Sequence, residues 1–366
     1  MNKNLYSIGL MSGTSLDGID VSIIKSDGDQ FIEVIDNIYL KYGKKLRSKL
    51  KKIVNLCSSK NQFKKNYNNI AKIQKSLTLQ HYKACKKICK KNKKIKINLI
   101  GFPGQTIVHN PKKKYSIQIG DGKLLSKLTN TTVVTNFRQN DILNGGQGAP
   151  LTPLYHKLIA KKIKLQLPVL IVNIGGISNI TFIGKKEKLI SFDTGPGNFL
   201  IDKLISTKSK FSFDKGGELA TSGTVDKDKL NFYLNNPYYK KLFPKSLDVK
   251  YFKLKYIKNI RLEDELATLS MLTVKSICLG VKSLKKKINR ILICGGGRKN
   301  KFIIKNIKKE IKFKVNLIDD FNFNGDFIES QAFAYLAIRS YDKKYISMPS
   351  TTGVKKKCSG GTIHKV

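Results

Sequence analysis

Hydrophobic positions along this chain come in short runs that stop at glycine. Leu5 to Leu10 reads as a strand that breaks into GLMSGTSLDGID, Gly9 to Asp20, and apolar residues return at Val34 to Leu40 after a second turn at Ser26 to Asp29. A Lys-rich region follows in which Phe63, Tyr67, Ile70, Leu77, Ala84 and Ile88 recur at helical spacing, predicting a helix over roughly Gln62 to Lys91. Ile95 to Ile100 has the look of a buried strand ending in GFPGQT, while Tyr115 to Ile119 and Thr132 to Asn136 alternate as further strands. Past the glycine-rich Asn144 to Pro150, a helix is expected over Leu151 to Ile163. Leu167 to Asn173 is almost continuously apolar, as a central strand should be, and stops at GGISN; Leu189 to Phe192 meets DTGPGN. Arg290 to Cys294 runs into GGGRKN, with a helix beginning near Asn300. Alternating strands and helices predict an α/β protein. The strand and glycine-loop unit occurs early and again mid-chain, so two lobes facing a cleft are expected.

Length and composition support that outline. A chain of 366 residues suggests two lobes, and its 40% hydrophobic share fits a globular protein. No uninterrupted apolar run approaches the roughly 20 residues a membrane span needs, and the N-terminus lacks a cleavage pattern, so a cytoplasmic protein with no membrane partner is expected. Charge is the outlier: 70 Lys+Arg against 25 Asp+Glu give +45. The lysines are spread with Asn and Ile through nearly every segment, as in Lys90 to Ile100 and Lys282 to Ile293, which is how an A/T-rich codon bias would write a sequence. No specific nucleic-acid partner is expected, although the field attracts anionic substrates and weakly binds polyanions at low salt. The six cysteines form no CxxC pair. His81, Cys85 and Cys89 share one helical face, but they sit beside that helix's apolar stripe and are expected to pack there rather than ligate a metal.

The chemistry lies in the glycine turns. Gly13 and Gly18 let backbone N–H groups converge on an anion, and Ser12, Thr14 and Ser15 add hydroxyl donors. Asp17 and Asp20 would repel bare phosphates, so a hydrated Mg²⁺ between carboxylate and nucleotide is indicated. An isolated Gly/Ser/Asp turn is most simply a hairpin; here, however, further glycine loops follow at strand ends, Gly175 to Asn179, Gly195 to Asn198 and Gly295 to Gly297. Neither GxxxxGK[ST] nor a GxGxxG opening a helix after the first strand is present. The distributed arrangement resembles the actin, sugar kinase and heat-shock-ATPase superfamily.

Within it, GLMSGTSLDGID, GGQGAPL at Gly145 to Leu151, NIGGISN at Asn173 to Asn179, FDTGPGN at Phe192 to Asn198, CGGGRKN at Cys294 to Asn300 and ESQAFAYLA at Glu329 to Ala337 stand in the order of the anhydro-N-acetylmuramic acid kinases. The resemblance runs from Ile8 to Gly353. It implies a two-lobed actin-like (ribonuclease H-like) α/β ATPase fold with a nucleotide cleft between lobes. It also implies a cytoplasmic enzyme of peptidoglycan recycling, expected to be a homodimer, that turns 1,6-anhydro-N-acetylmuramic acid, ATP and water into N-acetylmuramic acid 6-phosphate and ADP. Lobe I is expected over 1–136 with 345–366, lobe II over 137–344.

Opening the anhydro ring requires a water activated at C1 and an O6 in line with the γ-phosphate, for which one carboxylate serves as base. Asp193, the first polar residue after its strand, is that candidate, and the resemblance gives the aspartate of FDTGPGN the same role. Glu329 is a second catalytic candidate, or else a helix-capping acid. ATP would be held by Gly13, Thr14, Ser15, Leu16, Asp17, Gly18, Ile19 and Asp20 at the phosphates, with Gly175, Gly176 and Gly195 opposite. Gly295, Gly296 and Gly297 would lie against adenosine, and Asp17 would hold Mg²⁺ through water. Gln105, Thr106 and His109 match the family's sugar-side loop; the guanidinium of Arg138 suits the lactyl carboxylate of the amino-sugar substrate. Two positions depart from the family pattern. Pro103 stands where a His precedes GQT, and Asn136 stands where an acid precedes Phe-Arg. Both bear on sugar binding more than on Asp193.

Overall fold

The computed structural model describes residues 4–255 and 260–366. The chain forms two compact units, Met1–Lys162 with Phe327–Val366, and Ile163–Asp326. In the first, β1 (Leu5–Met11), β2 (Gly18–Ser26) and β3 (Ile32–Lys41) form an antiparallel meander, and β4 (Leu99–Gly101) lies parallel to β1 on its other side. The strand expected from Ile95 starts later, after Asn98, which meets Tyr6 with both its backbone N–H (to Tyr6 O, 2.9 Å) and its side chain, Tyr6 N–H donating to Asn98 Oδ1 at 2.8 Å. Next, β5 (Gln105–Asn110) and β6 (Tyr115–Ile119) form a separate hairpin, β7 (Thr132–Thr135) runs parallel to β4, and the strand Thr362–His364 closes the sheet edge antiparallel to β7. The segment expected as a sugar-side loop is therefore strand β5.

The pleat of β1 divides its neighbours. Ile8 and Leu10 enter a core with Leu50, Ile53, Ile70, Leu77 and Ile88 from the helices Lys44–Leu56 and Tyr67–Lys91. Each such fully buried side chain contributes about 1.5–3 kcal/mol. Gly9 instead meets the helix Ile328–Tyr341: a Cβ there would sit 1.8 Å from Ser330 O, and one on Gly101 would sit 2.2 Å from Phe333 O. That seam explains why the division between units differs from the expected one. Segments 137–162 and 327–344, expected in lobe II, belong to the first unit, where the helix Ile328–Tyr341 packs on β1, β2 and β4.

The second unit repeats the plan. β8 (Val169–Ile174), β9 (Ile177–Ile183) and β10 (Leu189–Pro196) are an antiparallel meander, and β11 (Arg290–Cys294) and β12 (Lys314–Leu317) continue from β8 in parallel. The order β10-β9-β8-β11-β12 is that of β3-β2-β1-β4-β7, with the same directions. This duplicated mixed sheet is the actin-like (ribonuclease H-like) α/β architecture that the motif order implies. Leu170, Val172, Ile291 and Ile293 are fully buried in a core with Leu266, Leu269, Val274 and Ile277 of the helix Leu262–Ser283. That helix is long and apolar enough to cross a membrane, but 72% of its apolar window is buried within the protein.

Candidate active site

In the first unit the turn Ser12–Asp17 joins β1 to β2. Leu16 adopts φ +54°, a left-handed conformation uncommon outside glycine, and its side chain is buried while Thr14 and Ser15 face outward. Leu16 N–H donates to Gly13 O at 3.3 Å and Tyr42 N–H to Asp17 O at 2.8 Å, so the turn closes on itself and onto the end of β3. A Cβ on Gly13 would meet nothing nearer than Ser15 Oγ at 3.7 Å, so the space beside this backbone is open. Asp17 accepts from Ser15 Oγ at 2.5 Å. Burial, then the charges of Asp17 and Asp20, push the Tyr39 phenol up to about 12, so the turn carries net negative charge beside that ring. Ser12 departs from expectation. Its hydroxyl is buried against Tyr42 Oη (2.9 Å) and His81 Nε2 (2.8 Å), so it is engaged inside the unit. His81 does not join Cys85 and Cys89 in a metal site, and among the described residues no three His, Cys, Asp or Glu side chains gather as one.

The sugar-side candidates converge in the same unit. Gln105 is buried, its Nε2 donates to Gly13 O at 3.4 Å, and its Oε1 has no hydrogen-bond partner among the described residues. His109 Nδ1 is 2.9 Å from Ser116 Oγ, and Gln118 Nε2 reaches both Ser116 Oγ (2.6 Å) and Thr106 Oγ1 (3.4 Å). Burial, and then the charge of Arg138, lowers His109 to about 3 and keeps the ring neutral. Glu329 lies in the first turn of Ile328–Tyr341, where a carboxylate faces the positive end of the helix dipole, although the N-cap position itself is Phe327. Burial raises the Glu329 carboxyl and Arg138 partly opposes that shift. Arg138 thus acts on both His109 and Glu329.

Arg138 itself is fixed by a loop whose role was not legible. Its Nη1 donates to Gly148 O at 2.7 Å, while the buried Asp141 accepts from Gly148 N–H (2.7 Å) and Thr352 Oγ1 (2.5 Å). An arginine and an acid three residues apart just ahead of GGQG were the available signal.

In the second unit, Asp193 is 5% exposed near the end of β10, where the register with β9 shifts between Asp193 and Gly195. Its Oδ2 accepts Leu247 N–H at 2.7 Å, its N–H donates to Lys245 O at 3.0 Å, and its carbonyl accepts Tyr238 Oη–H at 2.6 Å. The segment 238–247 therefore clasps Asp193. Sequence reasoning passed over it, though its aromatic, proline-punctuated run NNPYYKKLFP was visible. Gly175 and Gly176 alone join β8 to β9, and their carbonyls accept from Gly197, Asn198 and Phe199 N–H, tying this turn to the one that follows Asp193. Gly295 has φ +80°, and a Cβ there would come within 2.4 Å of Asn173 Oδ1, so only glycine fits. Behind it the buried Arg298 pairs with Asp319 (2.7 Å) and Asp326 (2.6 Å) and donates to Gly295 O at 3.1 Å, fixing the Gly295–Gly297 turn.

The family model of anhydro-N-acetylmuramic acid kinase matches residues 5–366. The chain belongs to the anhydro-N-acetylmuramic acid kinase family. A protein of that name from Pelagibacter ubique (strain HTCC1062) is 43% identical over 377 residues, 100% of each chain. One from Zymomonas mobilis subsp. mobilis is 37% identical over 367 residues, 99% of this chain and 100% of that one. Among solved structures, the activator of the 2-hydroxyisocaproyl-CoA dehydratase from Clostridium difficile with bound ADPNP aligns at 11% identity and TM-score 0.46 over 93% of this chain and 96% of that one. For an anhydro-N-acetylmuramic acid kinase, the two departures have a structural setting. Pro103 is half-buried ahead of Gly104, while Asn136 is exposed at φ +56°, a conformation asparagine tolerates, with Nδ2 3.4 Å from Thr362 Oγ1.

Proposed function

We propose that this kinase uses ATP and water to convert 1,6-anhydro-N-acetylmuramic acid into N-acetylmuramic acid 6-phosphate, in the cytoplasm, as a step of cell-wall recycling. The observation that carries the mechanism is the buried Asp193 carboxylate, held through one oxygen by Leu247 N–H in strand β10, at the register shift just before Gly195. Asp193 takes a proton from water as that oxygen bonds to C1 and the C1–O6 bond breaks. O6 then attacks the γ-phosphorus and ADP leaves with the bridging oxygen. The phosphoryl step calls mainly for positioning and charge neutralisation.

Of the residues expected at the phosphates, Gly13 to Asp17 form the turn that offers backbone N–H groups, whereas Gly18, Ile19 and Asp20 are laddered in β2 and back that turn. In the second unit Gly175 and Gly176 offer backbone to phosphate, and Gly295 to Gly297 give adenosine close approach. Mg²⁺, when bound, supplies charge neutralisation at the phosphates. The half-buried Asp17 carboxylate, already accepting a hydroxyl, suits a metal held through water. Arg138 takes the lactyl carboxylate. Gln105, with its unpartnered buried carbonyl, accepts a sugar hydroxyl beside Thr106 and His109. Glu329, whose burial favours its proton, assists proton movement. The enzyme works as a homodimer without nucleic acid or membrane.

The test is ADP release with the anhydro sugar and Mg²⁺, native beside Asp193→Asn, with the product weighed. A product heavier than the sugar by one water and one phosphoryl group, lost in the variant, supports the assignment. A native chain that binds ATP but yields no such product refutes it, and favours the second reading motivated by Pro103 and Asn136: a kinase for another sugar, or a relative that has lost turnover.

A further inference from the structure

The buried trio Ser12, Tyr42 and His81 admits one arrangement of protons. Leu77 O can only accept, so His81 Nδ1, 2.9 Å away, donates to it. Burial lowers His81 to about 4, so at neutral pH its Nε2 carries no proton and accepts. The hydroxyl 2.8 Å from Nε2 is Ser12, which therefore donates to His81. Having spent its only proton, Ser12 Oγ must accept from Tyr42 Oη–H at 2.9 Å. Tyr42 also donates its backbone N–H to Asp17 O at 2.8 Å. One residue after β3 thus holds both ends of the turn Ser12–Asp17, and an imidazole from a helix sixty-nine positions away fixes the direction of its first hydroxyl. All three are at most 5% exposed, and the Phe102 ring packs against the imidazole with centroids 4.7 Å apart.

We infer that His81 is a positioning residue for the nucleotide phosphates: through Ser12, and with Tyr42, it presets the shape of the turn Ser12–Asp17, and Ser12 is a strut of that turn rather than a phosphate ligand. The inference rests on the phosphate-binding reading of the turn. A preset turn is not reordered when ligand arrives, so the expected effect falls on nucleotide affinity and not on sugar affinity.

The experiment measures Mg-ADP binding by calorimetry, together with KM for ATP and for the sugar. His81→Leu removes the acceptor at similar volume; His81→Gln returns a carbonyl near Nε2. His81→Leu is expected to weaken Mg-ADP by about tenfold, the loss of one buried hydrogen-bond partner, with sugar KM unchanged. His81→Gln recovers most of that loss, and Tyr42→Phe resembles His81→Leu. Ser12→Ala combined with His81→Leu should be no worse than the poorer single variant, since both cut one chain of bonds. Native affinity in His81→Leu, or strictly additive losses in the pair, overturns the inference. If His81→Leu does not fold, Tyr42→Phe, Ser12→Ala and His81→Gln decide by the same readouts. A native chain that binds Mg-ADP without turning over the sugar removes only the substrate assignment, whereas one that binds no Mg-ADP removes both.

Discussion

The two sheets share one strand order, yet they connect their first two strands differently. β1 reaches β2 through Ser12–Asp17, a turn with hydroxyls, a carboxylate and a non-glycine residue at positive φ. β8 reaches β9 through Gly175 and Gly176 alone, with carbonyls committed to Gly197–Phe199. On the proposed reading the first turn meets phosphate through a hydrated cation, whereas the second has only backbone to offer. Duplication of a fold therefore did not duplicate its chemistry. The same contrast recurs in how each is held: the first by buried side chains, Ser12, Tyr42 and His81, the second by main chain to the turn after Asp193.

The sharpest break of this comparison is Asp193→Asn, which leaves Leu247 N–H an acceptor but removes the base. Turnover should fall by about 10²–10⁴-fold with Mg-ADP affinity kept, as checked by coupled assay and calorimetry. Unchanged turnover would mean the second unit does not supply the base. Asp17→Asn comes next: about a 10²-fold drop in kcat, with more Mg²⁺ needed for half-maximal rate, is expected if the first turn alone is metal-linked. A variant insensitive to Mg²⁺ titration would erase the distinction. Smaller still are Gly13→Ala and Gly175→Ala. Each has room for a Cβ, the nearest neighbours lying at 3.7 Å and 3.4 Å, so both should fold normally and lose about 1–2 kcal/mol of nucleotide binding. A lowered Tm in place of weaker binding would count against the ligand-facing role.

The units should also differ in acid. All four histidines lie in the first unit, and burial lowers His81 to about 4 and His109 and His156 to about 3 from 6.5. Below pH 6.5 the unfolded chain takes up protons that these buried rings refuse, so stability is lost as pH falls from 6.5 toward about 3. Each withheld proton contributes a slope of about 1.4 kcal/mol per pH unit. Hydrogen exchange followed from pH 7 downward should loosen the first unit before the second, and the opposite order would show that carboxylates dominate.

Much of this was legible because glycine marks a strand's end whatever surrounds it. Arg290–Cys294 and Tyr115–Ile119 have the bounds their apolar pattern predicts, and the glycine turns fall at the ends of β1, β8, β10 and β11. What stayed hidden depends on contacts distant in sequence. The pattern placed His81 beside a helix's apolar stripe, correctly buried, but periodicity does not reveal that its far nitrogen meets Ser12. The clasp of Asp193 by 238–247 joins residues that no local period connects. The helix Ile328–Tyr341 was assigned with its chain neighbours, when its partner is the bare surface of Gly9 and Gly101.

That bare surface has a bearing on how such a chain can change over generations. Its exposed faces carry lysine and asparagine along nearly the whole chain, and the net charge is +45. Where Gly9 and Gly101 touch the carbonyls of Ser330 and Phe333, even one added carbon collides with backbone. Substitution has room on the exterior of this kinase, but at the seam it meets a steric boundary. The glycines there are the part of the text that nucleotide drift is not free to edit.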